Sequence, residues 1–321
     1  MHELTGIWRF QPDPYAEGEA RGWMAPAHDT THWREVSVPG VFDQCAPAMP
    51  GYEGAGWFRR SFDMPAAWAG RRVVLACGAV NDHAQVWVNG HLVAEHADPF
   101  LPFSAAVEAH LRFGAANTVV VRADNTRRPG AVPGLQRGWR PYGGILREVT
   151  LTAGDPLRID HAAVVAEPDG RVQARLRLAN GRAAAASAAV QMTVTDAAGQ
   201  ALATLAAGPV MLAPGATAEL TCAGVVPGVQ PWSPDAPWLY PAEIALAADG
   251  QAVDARTVRL GFRRVAVRDG QLWLNDAPLF LTGANRHEDS RRAAAGMDLA
   301  QARADFQAMK DLGMNFVRLC H

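Results

Sequence analysis

The residues best placed to do chemistry lie near the end of this chain. His287 sits in the polar cluster Asn285-Arg286-His287-Glu288-Asp289, just after the apolar run PLFLTG (278–283), which reads as a hairpin with LWLND (272–276). His321 directly follows a second apolar run, MNFVRL (314–319). A neutral imidazole both donates and accepts a hydrogen bond, so a pair of them suits a ligand rich in hydroxyls. Between the two runs the spacing predicts a helix over roughly 299–312. Leu299, Ala302, Phe306, Met309 and Leu312 recur at three- and four-residue steps. Asp298 is placed to cap that helix, Gln301 holds the capping-box position, and Gly313 stops it. Strand, helix, strand is the opening of a parallel α/β unit. Barrels of such units build their sites at the C-terminal ends of the strands, so the two histidines would converge there. The plainer alternative for each is a histidine that only closes a strand. Asn285, Arg286, Glu288 and Asp289 read as a polar support around His287, since a buried arginine needs a carboxylate partner. Arg318, inside the second strand, reads as a pairing group of the barrel interior.

The elements that must carry this unit precede it. Residues 1–152 read as short strands and turns. RRVVLACGAV (71–80), NTVVVRADN (117–125) and ILREVTLTA (145–153) are strand-like, and AQVWVNGHLVAEH (84–96) is a hairpin about Asn89-Gly90. No long stretch keeps a helical period, so an antiparallel sandwich with long loops fits best. Asp124 and Asn125 end a strand before the loop 126–141, where a turn-capping role suits them. Residues 153–262 repeat the all-β character over a length that matches an immunoglobulin-like sandwich. The alanine run 183–186 could suggest a helix, but its setting between two alternating segments argues against one. Residues 263–321 then open the barrel. The fold class expected is therefore mainly β, with two sandwiches leading into the first elements of a parallel α/β unit.

Composition narrows the function. A formal charge of -2 over 321 residues offers no basic field for a phosphate backbone, which argues against nucleic acid as partner. The N-terminus has no basic, then apolar, leader, and no apolar stretch is long enough to span a bilayer. A cytoplasmic protein away from membranes is expected. Cys45, Cys77, Cys222 and Cys320 are too dispersed for a C-x-x-C motif and read as reduced, buried thiols.

An ordered set of stretches resembles glycoside hydrolase family 2, the family of β-galactosidases and β-glucuronidases. VPGVFD (38–43), YEGAGWFRRSF (52–62), VWVNGHLVAEH (86–96), PFLPF (99–103) and YGGILREVTL (142–151) resemble its first domain. WSPDAPWLY (232–240) and LGFRRVAVRDGQLWLND (260–276) resemble the end of its second domain and the approach to its third. GANRHED (283–289) and NFVRLCH (315–321) resemble the start of its barrel. The resemblance implies a jelly-roll sandwich over 1–152, an immunoglobulin-like sandwich over 153–262 and the first β/α elements of a TIM barrel over 263–321. It implies hydrolysis of terminal β-linked sugars with retention of configuration, most nearly β-galactosidase-like, with a β-glucuronidase next. It implies a carbohydrate substrate, no fixed cofactor, room for a divalent or monovalent cation in the intact enzyme, and a homo-oligomer as one option. It places both catalytic glutamates beyond residue 321, so Glu288 is not expected to be the acid. The family pattern continues after His321 with Tyr-Pro, and the chain reads as cut early in the barrel and inactive alone. The 34-residue spacing of His287 and His321 matches a pair that contacts the sugar in β-galactosidases. Gly138 and Val41 stand where β-galactosidases carry a sugar-contacting Asp and Asn, while Trp139 and Arg140 remain in that loop, either as sugar contacts or as packing on the domain edge. The competing reading is a non-catalytic carbohydrate-binding or scaffold protein, for which a histidine-bearing start of a barrel would have no use.

Overall fold

The computed structural model describes residues 1–45, 49–131, 134–135, 142–287 and 299–320. It falls into two compact units, Met1–Ala153 with Gly283–His321, and Gly154–Thr282.

The first sandwich pairs a six-stranded antiparallel sheet with a four-stranded one. The larger sheet runs Arg34–Val38, Gly6–Asp13, Ala55–Asp63, Ala116–Asp124, His83–Val88 and His91–His96. The smaller runs His2–Glu3, Val149–Gly154, Arg72–Cys77 and Phe103–Ala106. Strand alternation sorts the side chains. Val119, Val121 and Ala123 point into a core with Trp8, Phe10, Phe58, Val73, Leu75 and Leu151. Val120 points out, into a second cluster with Trp23, Trp33, Trp57 and Trp87. The segment 14–33 closes over that outer face. At its start the Asp13 carboxylate accepts the backbone N–H of Glu17 (2.8 Å) and Gly18 (2.9 Å) and the Trp57 indole N–H (2.9 Å). At its far end the buried Arg59 guanidinium donates to the carbonyls of Ala25 (2.8 Å) and Trp23 (3.4 Å). The Asn89-Gly90 turn has φ of 49° and 85°, the two left-handed residues that a tight hairpin requires.

The second sandwich packs Leu157–Ala166, Arg171–Asn180 and Thr217–Val225 against a four-stranded sheet. That sheet runs Ala201–Leu212, Ala186–Thr195, Tyr240–Ala248 and Gln251–Leu260. Leu176, Leu178, Val190, Met192, Ile244, Leu246 and Phe262 fill its core. The alanine run forms no helix: 183–184 bend, and Ala186 opens the strand Ala186–Thr195. The hairpin built on Val265–Arg268, Gln271–Leu274 and Ala277–Leu279 groups with this unit. Two contacts fasten it there: Arg264 pairs with Glu167 (2.7 Å), and the Asn275 amide donates to the Trp232 carbonyl (2.8 Å). All four cysteines are free and buried.

The barrel elements are Gly283–His287, the helix Leu299–Asp311 and Phe316–Cys320. The two strands pair in parallel, from Gly283↔Phe316 to His287↔Cys320. The sequence pairs LWLND (272–276) with PLFLTG (278–283) as a hairpin, and that hairpin is present; it also makes the same run the barrel strand before His287, and there the structure differs. The hairpin takes Pro278 and Leu279 as partners of Trp273 and Leu272, so the barrel strand starts at Gly283 and the polar cluster is itself the strand. The helix ends as expected. Gly313 has φ 76°, and the Met314 N–H reaches back to the Met309 carbonyl (3.0 Å), which closes the last turn. Leu299, Leu312, Phe316 and Leu319 stay exposed. No helix among the described residues is long and apolar enough to cross a membrane.

Candidate functional site

Partners in a parallel ladder project to the same side, and the side alternates along the strand. Asn285 is partnered with Arg318, and His287 with Cys320. One face of the two-stranded sheet therefore carries Asn285, His287, Arg318 and Cys320. The other carries Ala284, Arg286, Val317 and Leu319. The helix lies on the second face, because Arg286 Nε donates to Asp305 Oδ2 (2.9 Å) and the guanidinium sits 5.5 Å from the Phe306 ring centroid. The sequence grouped Arg286 with Asn285 and His287 as one polar floor. The pleat separates them, so any support Arg286 gives to His287 comes from behind the strand.

On the first face Arg318 turns along its own strand. Its Nη1 donates to Cys320 Sγ (2.8 Å), and the Cys320 side chain is buried. Asn285 and His287 are exposed beside it. On the helix side the Asp305 carboxyl is held below the usual carboxylate range by the Gln301 amide (2.7 Å) and then by Arg286. The Gln301 amide reaches forward one turn to Asp305; its expected capping-box partner Asp298 lies outside the described residues. Asp305 was missed in the sequence. The Gln301–Asp305 spacing of four was the legible signal, since such residues are neighbours on a helix. His321, Glu288, Asp289 and the cap Asp298 lie outside the described residues, as do Trp139, Arg140 and Gly138.

In the first sandwich the strand ends near the loop 126–141 are tightly satisfied. Burial would push the Asp124 carboxyl up, yet Thr126, Arg122 and Arg128 together hold it below its ordinary value. Asn125 is fully used: its Oδ1 accepts the Gly54 N–H (2.9 Å) and its amide donates to the Tyr52 carbonyl (2.8 Å). Both residues serve the turn. Val41 is buried in an apolar cluster with Ala79 and Leu146, and its strand pairs with Gly144. That position presents no polar group to a ligand. Among the described residues no three His, Cys, Asp or Glu side chains are grouped as a metal site.

The family's sequence models fit this chain along its whole length. The sugar binding domain model of glycosyl hydrolases family 2 matches residues 1–154, and the general family 2 model matches 157–263. The family's TIM barrel domain model matches 265–321. The chain belongs to glycosyl hydrolase family 2. Its sandwiches are thus the family's jelly-roll and immunoglobulin-like domains, and its last segment is the start of the family's TIM barrel. A β-glucuronidase of Paenibacillus borealis is 27% identical over 100% of this chain, and the match covers 55% of that protein. A β-galactosidase of Psychromonas ingrahamii is 26% identical over 99% of this chain and is matched over 33% of its own length. Among solved structures, a Bacteroides uniformis β-glucuronidase covalently bound to cyclophellitol-6-carboxylate aziridine superposes with a TM-score of 0.85 at 25% identity. The superposition covers 100% of this chain and 39% of that one. The chain spans about half, or less, of the length of these family 2 relatives.

Proposed function

We propose that this chain supplies the sandwiches and the first barrel strands of a retaining β-glycoside hydrolase, with β-glucuronides as its first substrate class and β-galactosides second. The observation that carries the reading is the face shared by Asn285, His287 and Arg318, at the C-terminal end of a parallel pair within the segment that fits the family's barrel. His287 would hold sugar hydroxyls there, and His321, Trp139 and Arg140 are proposed as further sugar contacts. Two observations move glucuronides ahead of the galactosides favoured by the sequence. Most of the similar curated proteins are named β-glucuronidase. Val41, at a position where β-galactosidases are expected to offer an amide, is buried among apolar groups.

A retaining reaction needs two carboxyl groups about 5 Å apart, one ionised to attack the anomeric carbon and one protonated to release the leaving oxygen. The described acids of 283–320 do not form such a pair. Asp305 is engaged by Arg286 and Gln301, and Asp311 accepts from Gln307 (2.8 Å). The nucleophile and acid would come from later strands of a barrel that has eight.

The test compares the 321-residue chain with the same chain extended through the reading frame that follows codon 321, on nitrophenyl β-glucuronide and β-galactoside. The short chain should show no turnover above buffer. The extended chain should hydrolyse the glucuronide with the higher kcat/KM. Turnover by the short chain, abolished by His287→Ala, would overturn the division of labour. A preference of the extended chain for the galactoside would overturn the substrate class.

A further inference from the structure

The face of the barrel sheet that points away from His287 is more highly organised than the face that carries it. Arg286 is only 12% exposed and Asp305 31%, in an ion pair at 2.9 Å. Gln301, one turn earlier on the helix, takes the other Asp305 oxygen at 2.7 Å. The Phe306 ring covers the guanidinium at 5.5 Å. Asp305 and Phe306 thus hold one arginine, with Gln301 bracing Asp305, and that arginine is the immediate neighbour of His287. The rest of the helix gives the strand little: none of its residues is buried, and Leu299 and Leu312 are 65% and 75% exposed. A generic apolar seam does not fix this helix to the strand, and a single polar pin takes its place.

We infer that Asp305, with Gln301 and Phe306 behind it, is a positioning residue for His287, acting through Arg286. This rests on the sugar-binding role proposed above for His287. The mechanical link is the pleat. Neighbouring side chains on a strand leave on opposite sides, so fixing the direction of Arg286 fixes the rotation of the strand about its own axis, and with it the direction of His287. A rotation of about 10° on a lever of about 6 Å carries an imidazole nitrogen roughly 1 Å, a misplacement that can cost on the order of 10²-fold in rate. The guanidinium suits the task. It offers two donors in a fixed plane and a flat face for the phenyl ring, which a lysine does not.

The first arm of the test uses the 321-residue chain and no sugar. The His287 ring resonance is assigned by its loss in His287→Gln, then followed in Asp305→Asn and in the swap Arg286→Asp with Asp305→Arg. Asp305→Asn should shift and broaden the His287 resonance while the other histidines stay in place, and the swap should restore it. An ion pair that only stiffened the helix would speed amide exchange in 299–311 without moving the His287 resonance, and that outcome overturns the inference. In the extended chain, Asp305→Asn should lower kcat/KM by 10-fold or more at an unchanged melting temperature, with recovery in the swap. A loss of activity that the swap does not recover also counts against the pin. The arms separate the two ideas: a His287 response in the short chain with an extended chain inactive on both sugars would sink the proposed function and leave the pin standing.

Discussion

Replacing Asp124 by asparagine should destabilise the first sandwich by about 3 kcal/mol. Asp124 Oδ2 accepts from Arg122 and from Arg128, each at 3.0 Å, and its Oδ1 accepts the Thr126 N–H at 3.0 Å. The side chains of Asp124 and Arg122 are 8% and 13% exposed, so this pair is buried, whereas Arg128 is 46% exposed. Breaking a buried pair from one side costs about 3–5 kcal/mol, because the remaining charge stays desolvated. The exposed Arg128 pair contributes roughly 0–1 kcal/mol. Asparagine keeps an acceptor for Thr126, and Arg122 keeps its bond to Gln85 (3.1 Å), which sets the lower end of the range. Urea unfolding followed by tryptophan fluorescence reads the effect, since Trp57 and Trp87 pack on the same sheet face. With a slope of about 2 kcal/mol per M, the midpoint should fall by about 1.5 M. The pH dependence has a definite sign. The folded-state value of Asp124 lies below its ordinary 3.8, so its contribution is complete above that pH and is lost as pH falls through the folded value. The gap between wild type and Asp124→Asn should therefore close in strong acid. A loss below about 1 kcal/mol, or an Arg128→Ala variant as damaging as Asp124→Asn, would refute the assignment of the energy to the buried pair.

Two further outcomes follow from the same sandwich. Gly143→Ala should cost about 2–3 kcal/mol and lower the melting temperature, because a Cβ there would stand 2.1 Å from Phe42 Cε2. Phe42 is fully buried against Phe10, Phe58 and Tyr52 and has nowhere to retreat, so an unchanged melting curve would refute that packing. Acid should loosen the 14–33 segment through His28, which lies against Trp23 and Trp33 with a buried Nε2 that has no partner among the described residues. Burial first, then Arg59 and His32, push its imidazole below 6.5, against a smaller opposing pull from Asp29. The stability it allows is present above 6.5 and declines as pH falls below that value. Acrylamide quenching of tryptophan should rise from pH 7 to pH 5 in wild type and stay flat in His28→Phe; equal responses would exclude His28 as the cause.

The order of two sandwiches and the start of a barrel was readable in the sequence because each rests on local signals. Alternation, the Asn89-Gly90 turn and the three- and four-residue steps of 299–312 need no knowledge of distant partners. The family was readable for a related reason: its stretches keep their order along the chain. The helix stop at Gly313 was equally local, since only a left-handed residue fits there. The start of the first barrel strand was not local. The hairpin of LWLND with PLFLTG was legible, but only the pairing of Gly283 with Phe316 showed that the barrel strand begins where that run ends. The same holds for the polar cluster. Composition marks Asn285, Arg286 and His287 as one group, and the pleat divides them between two faces. Which face the helix covers was decided by Asp305, a residue 19 positions from Arg286 in the chain. A sequence states which side chains could pair. Whether they do depends on the rotation of a strand and the seat of a helix, and those are set together only when the chain has packed.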